Sequence, residues 1–279
     1  MAPERLGIGS SVVHADLAAR VERIAADTRH GSSWLAKEAL EALVEAVQIG
    51  EDPLQTARDL VRARPAIGAI AGAMGRVLVS GRTPEQLIEE AHAVIGSRER
   101  AAVTIAVLLS PELTGKVVMT HSASATAREA LVHAEVERVV CTVSDPVGEG
   151  RTFSKELAAT GLATELVADE DAGRAVATVD LLLLGADTVF RDGSLVNKIK
   201  TNGLASAAQK AGVPVVVACE VLKLAPDDPY EPDEERVDLT PPGLIDRYAT
   251  EEGIFAPDEI AALVDRTPFL REGYELLRG

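Results

Sequence analysis

The chain has 279 residues, 47% of them hydrophobic, with 14 Pro and 22 Gly, which describes one large or two modest globular domains and excludes a disordered or fibrous chain. Forty-four acidic against 28 basic residues leave a formal net charge of −16, a field that repels polyanions and argues against direct nucleic-acid binding and docking on anionic membranes. Cys141 and Cys219 lie in apolar runs without disulfide or metal-ligand spacing, and no run approaches the roughly 18 apolar residues of a membrane span, so the expectation is a cytoplasmic protein without metal or cofactor.

From Val12 to Ser110 apolar residues recur at helical spacing, which predicts helices over 13–27, 34–47, 53–62, 67–79 and 84–109, punctuated by Gly31, Gly50, Pro65 and Gly81. After Pro111 and Gly115 the pattern changes to short apolar runs alternating with helical stretches. These predicted strands cover 116–120, 138–143, 163–168, 181–184 and 213–218. Near-continuous apolar runs of this length suit parallel strands buried on both faces. The expected fold class is therefore α/β, an N-terminal helical domain (1–113) followed by a Rossmann-like open parallel sheet domain (114–279). Asp227 to Glu235, with two Pro and six acidic residues, reads as a solvated loop.

In such sheets ligands bind beyond the C-terminal strand ends. The first strand runs into Thr120-His121-Ser122-Ala123-Ser124 before a helix, where hydroxyls and free amides suit an anion or a plain serine cap at Ser124. His121 and Ser122 are adjacent on a strand end and face opposite ways, which argues against a Ser–His pair. The run 181–184 ends in Gly185-Ala186-Asp187, bringing one carboxylate to the end of an apolar strand. Asn197 and Lys198 follow a turn at Asp192-Gly193, and the last strand ends near Glu220 and Lys223. In the helical half, Arg29-His30-Gly31-Ser32-Ser33 opens a helix and pairs a cation with hydroxyls and free amides. Trp34, the only tryptophan, reads as buried packing.

Taken in order, these motifs resemble the family that joins the alpha, beta and delta subunits of translation initiation factor 2B with isomerases of methylthioribose-1-phosphate and ribose-1,5-bisphosphate. Gly185-Ala186-Asp187 through Asn197-Lys198 is the most specific match; Arg64-Pro65, Met119-Thr120-His121, Val217-Ala218-Cys219-Glu220 with Lys223, and Asp238 to Pro242 also fit in order. The resemblance implies a cleft between the domains that binds a phosphorylated sugar or nucleoside monophosphate, with Arg29, Gly31, Ser32, His121, Ser124, Asn197, Lys198, Glu220 and Lys223 around it. It also implies a homodimer or larger homo-oligomer, for which the apolar stretch Ile254 to Val264 offers a contact.

Two departures from the family pattern bear on chemistry. The isomerases carry a cysteine after Thr-His that works with the aspartate; here Ser122 stands beside Asp187 in that role, and a hydroxyl is a far weaker acid than a thiol and needs a base. An arginine of the family's Glu-Ser/Thr-Arg-Pro motif is Asp145 here, which would turn attraction for a phosphate into repulsion. The expectation is an initiation-factor-2B-like protein that binds its ligand without standard isomerase chemistry. The alternative is an aldose–ketose isomerase acting on a pentose phosphate such as ribose-1,5-bisphosphate.

Overall fold

A computed structural model describes residues 8–226 and 236–278; the acidic loop expected at 227–235 lies outside the described residues. The N-terminal region is helical: α1 (Ile8–Ala26), α2 (Ser32–Ile49), α3 (Pro53–Ala63), α4 (Gly68–Ser80) and α5 (Pro84–Leu113). Local chemistry sets the starts. Asp52 accepts the Leu54 N–H with Pro53 in the first turn of α3, and Thr83 and Gln86 form a reciprocal capping box at α5. Where the sequence predicts that α5 stops before Pro111, the helix runs on to Leu113. The carbonyl that proline leaves without a donor is that of Val107, whose side chain is exposed.

The rest of the chain alternates strands and helices: β1 (Val117–His121), α6 (Ala125–His133), β2 (Arg138–Thr142), α7 (Gly150–Ala159), β3 (Thr164–Val167), α8 (Ala172–Ala175), β4 (Leu181–Leu184), β5 (Thr188–Phe190), β6 (Leu195–Lys198), α9 (Thr201–Ala211), β7 (Val215–Ala218), β8 (Leu224–Ala225), β9 (Val237–Thr240), β10 (Arg247–Thr250), β11 (Gly253–Phe255), α10 (Ile260–Asp265) and α11 (Pro268–Arg278). A seven-stranded sheet has the order β11-β10-β7-β4-β1-β2-β3, parallel except for the β10–β11 pair. A separate four-stranded sheet, β8-β5-β6-β9, has no counterpart among the predicted strands.

Alternation along the strands separates two apolar layers. Val118, Leu181, Leu183 and Val216 pack with Leu109, Leu131 and Leu157 of α5, α6 and α7. Met119, Leu182, Leu184, Val215 and Val217 face the other way, toward Leu204, Ala208, Leu263 and Leu270 of α9, α10 and α11. The third core fills the helical region and takes in Leu222 and Leu277 from the far end of the chain. Gly72 makes that junction: a Cβ there would stand 2.0 Å from the Leu222 carbonyl oxygen, so α4 lies directly on the turn after β7. Ile260, Leu263 and Val264, expected at an oligomer contact, are buried in the chain's own core, and only Ile254 of that stretch is a large exposed apolar side chain. Among the described residues no helix is long and apolar enough to cross a membrane.

Candidate functional site

The chain lays down β1, β2 and β3 toward one edge, then returns to place β4 on the other side of β1. The strand order therefore reverses between β1 and β4, where open α/β sheets leave a crevice at their C-terminal ends. A cavity of about 800 Å³ opens there. Ser122 follows β1, Asp187 follows β4, and the start of α2 closes the opposite wall. Arg29, Gly31, Ser32, His121, Ser122, Ser124, Asp187, Asn197, Lys198 and Lys223 all line it.

Ser122 adopts a left-handed backbone, φ 65°, as does Ser144 at the end of β2. A directed chain of hydrogen bonds holds this turn. His121 donates from Nε2 to the Ile199 carbonyl (2.9 Å) and accepts the Thr142 hydroxyl at Nδ1 (2.6 Å). Thr142 Oγ1 accepts from Ser144 Oγ (2.8 Å), which accepts the Ser122 N–H (2.9 Å). Burial pushes the imidazole below its ordinary value, which suits the neutral ring this pattern requires. Both ring nitrogens of His121 are thereby engaged by the protein.

The Ser122 hydroxyl donates to Glu149 Oε1 at 2.7 Å, and Lys198 Nζ reaches both carboxylate oxygens at 3.0 and 3.1 Å. Gly150 allows this placement, because a Cβ there would lie 1.8 Å from the Thr142 carbonyl oxygen. The serine that lacks a recognisable partner in the sequence thus has one in space. Nothing local marks it: Glu149 is 27 residues away in a turn.

Asp187 sits partly buried on the cavity wall. Burial pushes its carboxyl above the ordinary value of 3.8, against the opposing pull of Lys223, the Ser32 hydroxyl, Arg64 and Lys198. Lys223 is 2% exposed and donates to the Ala186 carbonyl at 2.8 Å. Ser124 caps α6 by accepting the Ala127 N–H, and Asn197 donates to Thr201. At α2 no side chain caps the helix, whose N-terminal amides open toward the cavity. Arg29 and Arg128 flank the same cavity, and neither guanidinium has an ion pair among the described residues. A helix N-terminus with two such cations has the chemistry that suits an anion.

Three expectations change. Asp145 is exposed and does not line the cavity; its amide N–H is tied to Asp169, which also holds Lys200 at 2.6 Å. Its carboxylate is therefore not part of the cavity wall, although its neighbours Pro146 and Val147 are. Glu220 does not face the cavity either: it is 3% exposed and accepts from Arg98 at 2.6 Å and from Ser33 at 3.2 Å. Trp34 is 40% exposed and stacks on His30 at 3.8 Å on the cavity rim, so it is not core packing.

The family model described as the initiation factor 2 subunit family matches residues 28–236. The chain is 32% identical over 247 residues to the ribose 1,5-bisphosphate isomerase of Haloferax volcanii, covering 75% of this chain and 76% of that protein. It is 30% identical over 275 residues to the protein of the same name from Archaeoglobus fulgidus, covering 86% and 85%. Among solved structures, the translation initiation factor eIF-2B of Pyrococcus horikoshii superposes with a TM-score of 0.78 at 24% identity, covering 87% of this chain and 97% of that one, which is a likeness of fold. With the family model spanning most of the chain and its relatives matched over most of their length, the chain belongs to the initiation factor 2 subunit family.

Proposed function

We propose that the chain is an aldose–ketose isomerase acting on a phosphorylated pentose, with ribose 1,5-bisphosphate the first substrate to try. The observation that carries this reading is Asp187, a carboxyl that burial pushes above its ordinary value, on the wall of a cavity also lined by Arg29, Arg128 and the start of α2. The names of the two relatives support the substrate. The displacement of Asp145 from the cavity removes one of the two reasons for preferring a ligand-binding protein without chemistry.

The substrate dictates what the site must do. C1 of ribose 1,5-bisphosphate bears a phosphate and the ring oxygen, so forming the ketose requires the C1–O4 bond to break and a hydrogen to pass from C2 to C1. Asp187 is the acid that protonates O4 as that bond breaks. The α2 amides, Arg29 and Arg128 hold a phosphate, while Asn197, Lys198 and Lys223 complete the polar wall. His121 acts by shaping the Ser122 turn.

The test follows ribulose 1,5-bisphosphate formation by phosphorus NMR. Turnover of about 1 per second or more is expected. Binding of ribose 1,5-bisphosphate without turnover would return the initiation-factor-like ligand-binding reading to first place. The proposal carries with it a helical 1–113 unit packed on a Rossmann-like 114–279 unit, a cytoplasmic location, and a homodimer or larger assembly that sedimentation would detect.

A further inference from the structure

The isomerase reading leaves one group unaccounted for. If Asp187 protonates the departing ring oxygen, a separate base must take the C2 proton and return it to C1. The other titratable groups on the cavity wall narrow the choice. Both nitrogens of His121 are engaged with Thr142 and Ile199. His30 is exposed on the rim, bound to Asp27 at 2.7 Å and stacked on Trp34. Glu156 is exposed along α7. Lys223 donates to the Ala186 carbonyl and Lys198 to Glu149. Glu149 remains, partly buried and gripped by the Ser122 hydroxyl and the Lys198 ammonium at the end of β1.

Resting on that reading, we infer that Glu149 is the catalytic base of this chain, oriented by Ser122 and Lys198 and working opposite Asp187. A carboxylate accepting from a hydroxyl and an ammonium keeps a lone pair for a third partner. At the left-handed turn the Ser122 hydroxyl donates to Glu149, so the serine positions the base and does not itself attack.

The step balances within the substrate. As C1–O4 breaks, O4 takes the proton of Asp187. The C2–H electrons become the C1–C2 double bond while Glu149 takes the C2 proton. In the return step the enol double bond takes that proton at C1. The O2–H electrons become the C2 carbonyl, and the O2 proton restores Asp187. No oxidant, reductant or second substrate is consumed.

The experiment compares the unsubstituted chain with Glu149→Gln, whose amide oxygen can still accept from Ser122. The expected result is a fall in kcat of about 100-fold or more, the contribution of a general base, with the midpoint of thermal unfolding and the Kd for ribulose 1,5-bisphosphate unchanged within about threefold. In Glu149→Ala, whose truncation leaves room for it, sodium formate should raise the residual rate by resupplying a carboxylate. A smaller fall in an otherwise active protein overturns this assignment and leaves the isomerase reading standing. An inactive unsubstituted chain overturns both. Ser122→Ala supplies an independent reading: kcat about tenfold lower with KM unchanged is expected, and an unchanged kcat overturns the positioning role.

Discussion

The ends of β4 and β7 each present a carboxylate near Lys223, and the two behave in opposite ways. Beyond β4, Asp187 is raised by burial, and the cations around it only moderate the shift. Beyond β7, Glu220 is also pushed up by burial, yet Arg98 and Lys223, with hydrogen bonds from Arg98 and Ser33, hold it below its ordinary value. The same residue class on the same sheet edge is thus held toward its protonated form in one place and fastened as an anion in the other. The difference is direct pairing: Arg98 reaches Glu220 at 2.6 Å, whereas the charges of Lys223, Arg64 and Lys198 act on Asp187 through space.

The sharpest way to break the comparison is to neutralise each acid in turn. Asp187→Asn keeps the shape and removes the proton, so kcat should fall about 10²–10⁴-fold, the range of a lost general acid. Stability at pH 7 should not fall, because a carboxyl that burial disfavours as an anion has gone; urea unfolding checks this beside the NMR rate assay. Arg98→Met acts in reverse. It strands Glu220, 3% exposed, and frees the Ser33 carbonyl that Arg98 holds at 2.7 Å. Breaking a buried pair from one side costs about 3–5 kcal/mol, while kcat in the folded protein should stay within about threefold. Arg98→Met with Glu220→Gln should cost less than the sum of the single changes.

The two sites were unequally legible in the sequence. Asp187 and Ser122 stand just beyond the ends of predicted strands, so a strand-by-strand reading reaches both, and Lys198 is reached only through the motif that follows the Asp192-Gly193 turn. The helices of the N-terminal half and five of the seven strands of the large sheet, β1 to β4 and β7, also follow from periodicity, because burial on one face or on both repeats at a fixed interval; β10 and β11 have no counterpart among the predicted strands. Arg98 lies in the middle of α5 and meets Glu220 across 122 residues; Glu149 sits in a turn before α7 with no apolar pattern around it. Such partnerships depend on where the topology brings distant segments together, and no local spacing encodes that. The small sheet escaped notice because its strands, two to four residues long, mix polar residues such as Thr188, Asn197, Lys198 and Asp238 into the run and so lack the continuous apolar stretch that marks β4 and β7.

The last and smallest effect compares the two carboxylates by pH. Asp187 has a folded value above its ordinary 3.8. Its contribution to stability is fully present below about 3.9, the unfolded value, and is lost as pH rises through the raised folded value, because the unfolded chain releases that proton first. Glu220 has a folded value below its ordinary 4.5. Its contribution is present above about 4.3 and is lost as pH falls through the depressed folded value. The two slopes therefore have opposite signs and occupy adjoining windows. Urea unfolding from pH 3 upward should show stability gained by Asp187→Asn on the alkaline side of about pH 4, with the native slope there made flatter. Glu220→Gln should instead remove part of the loss on the acid side, starting from a lower stability at neutral pH. If the two variants change the profile with the same sign, pairing does not separate the acids, and the assignment of Asp187 as the proton donor loses its electrostatic basis.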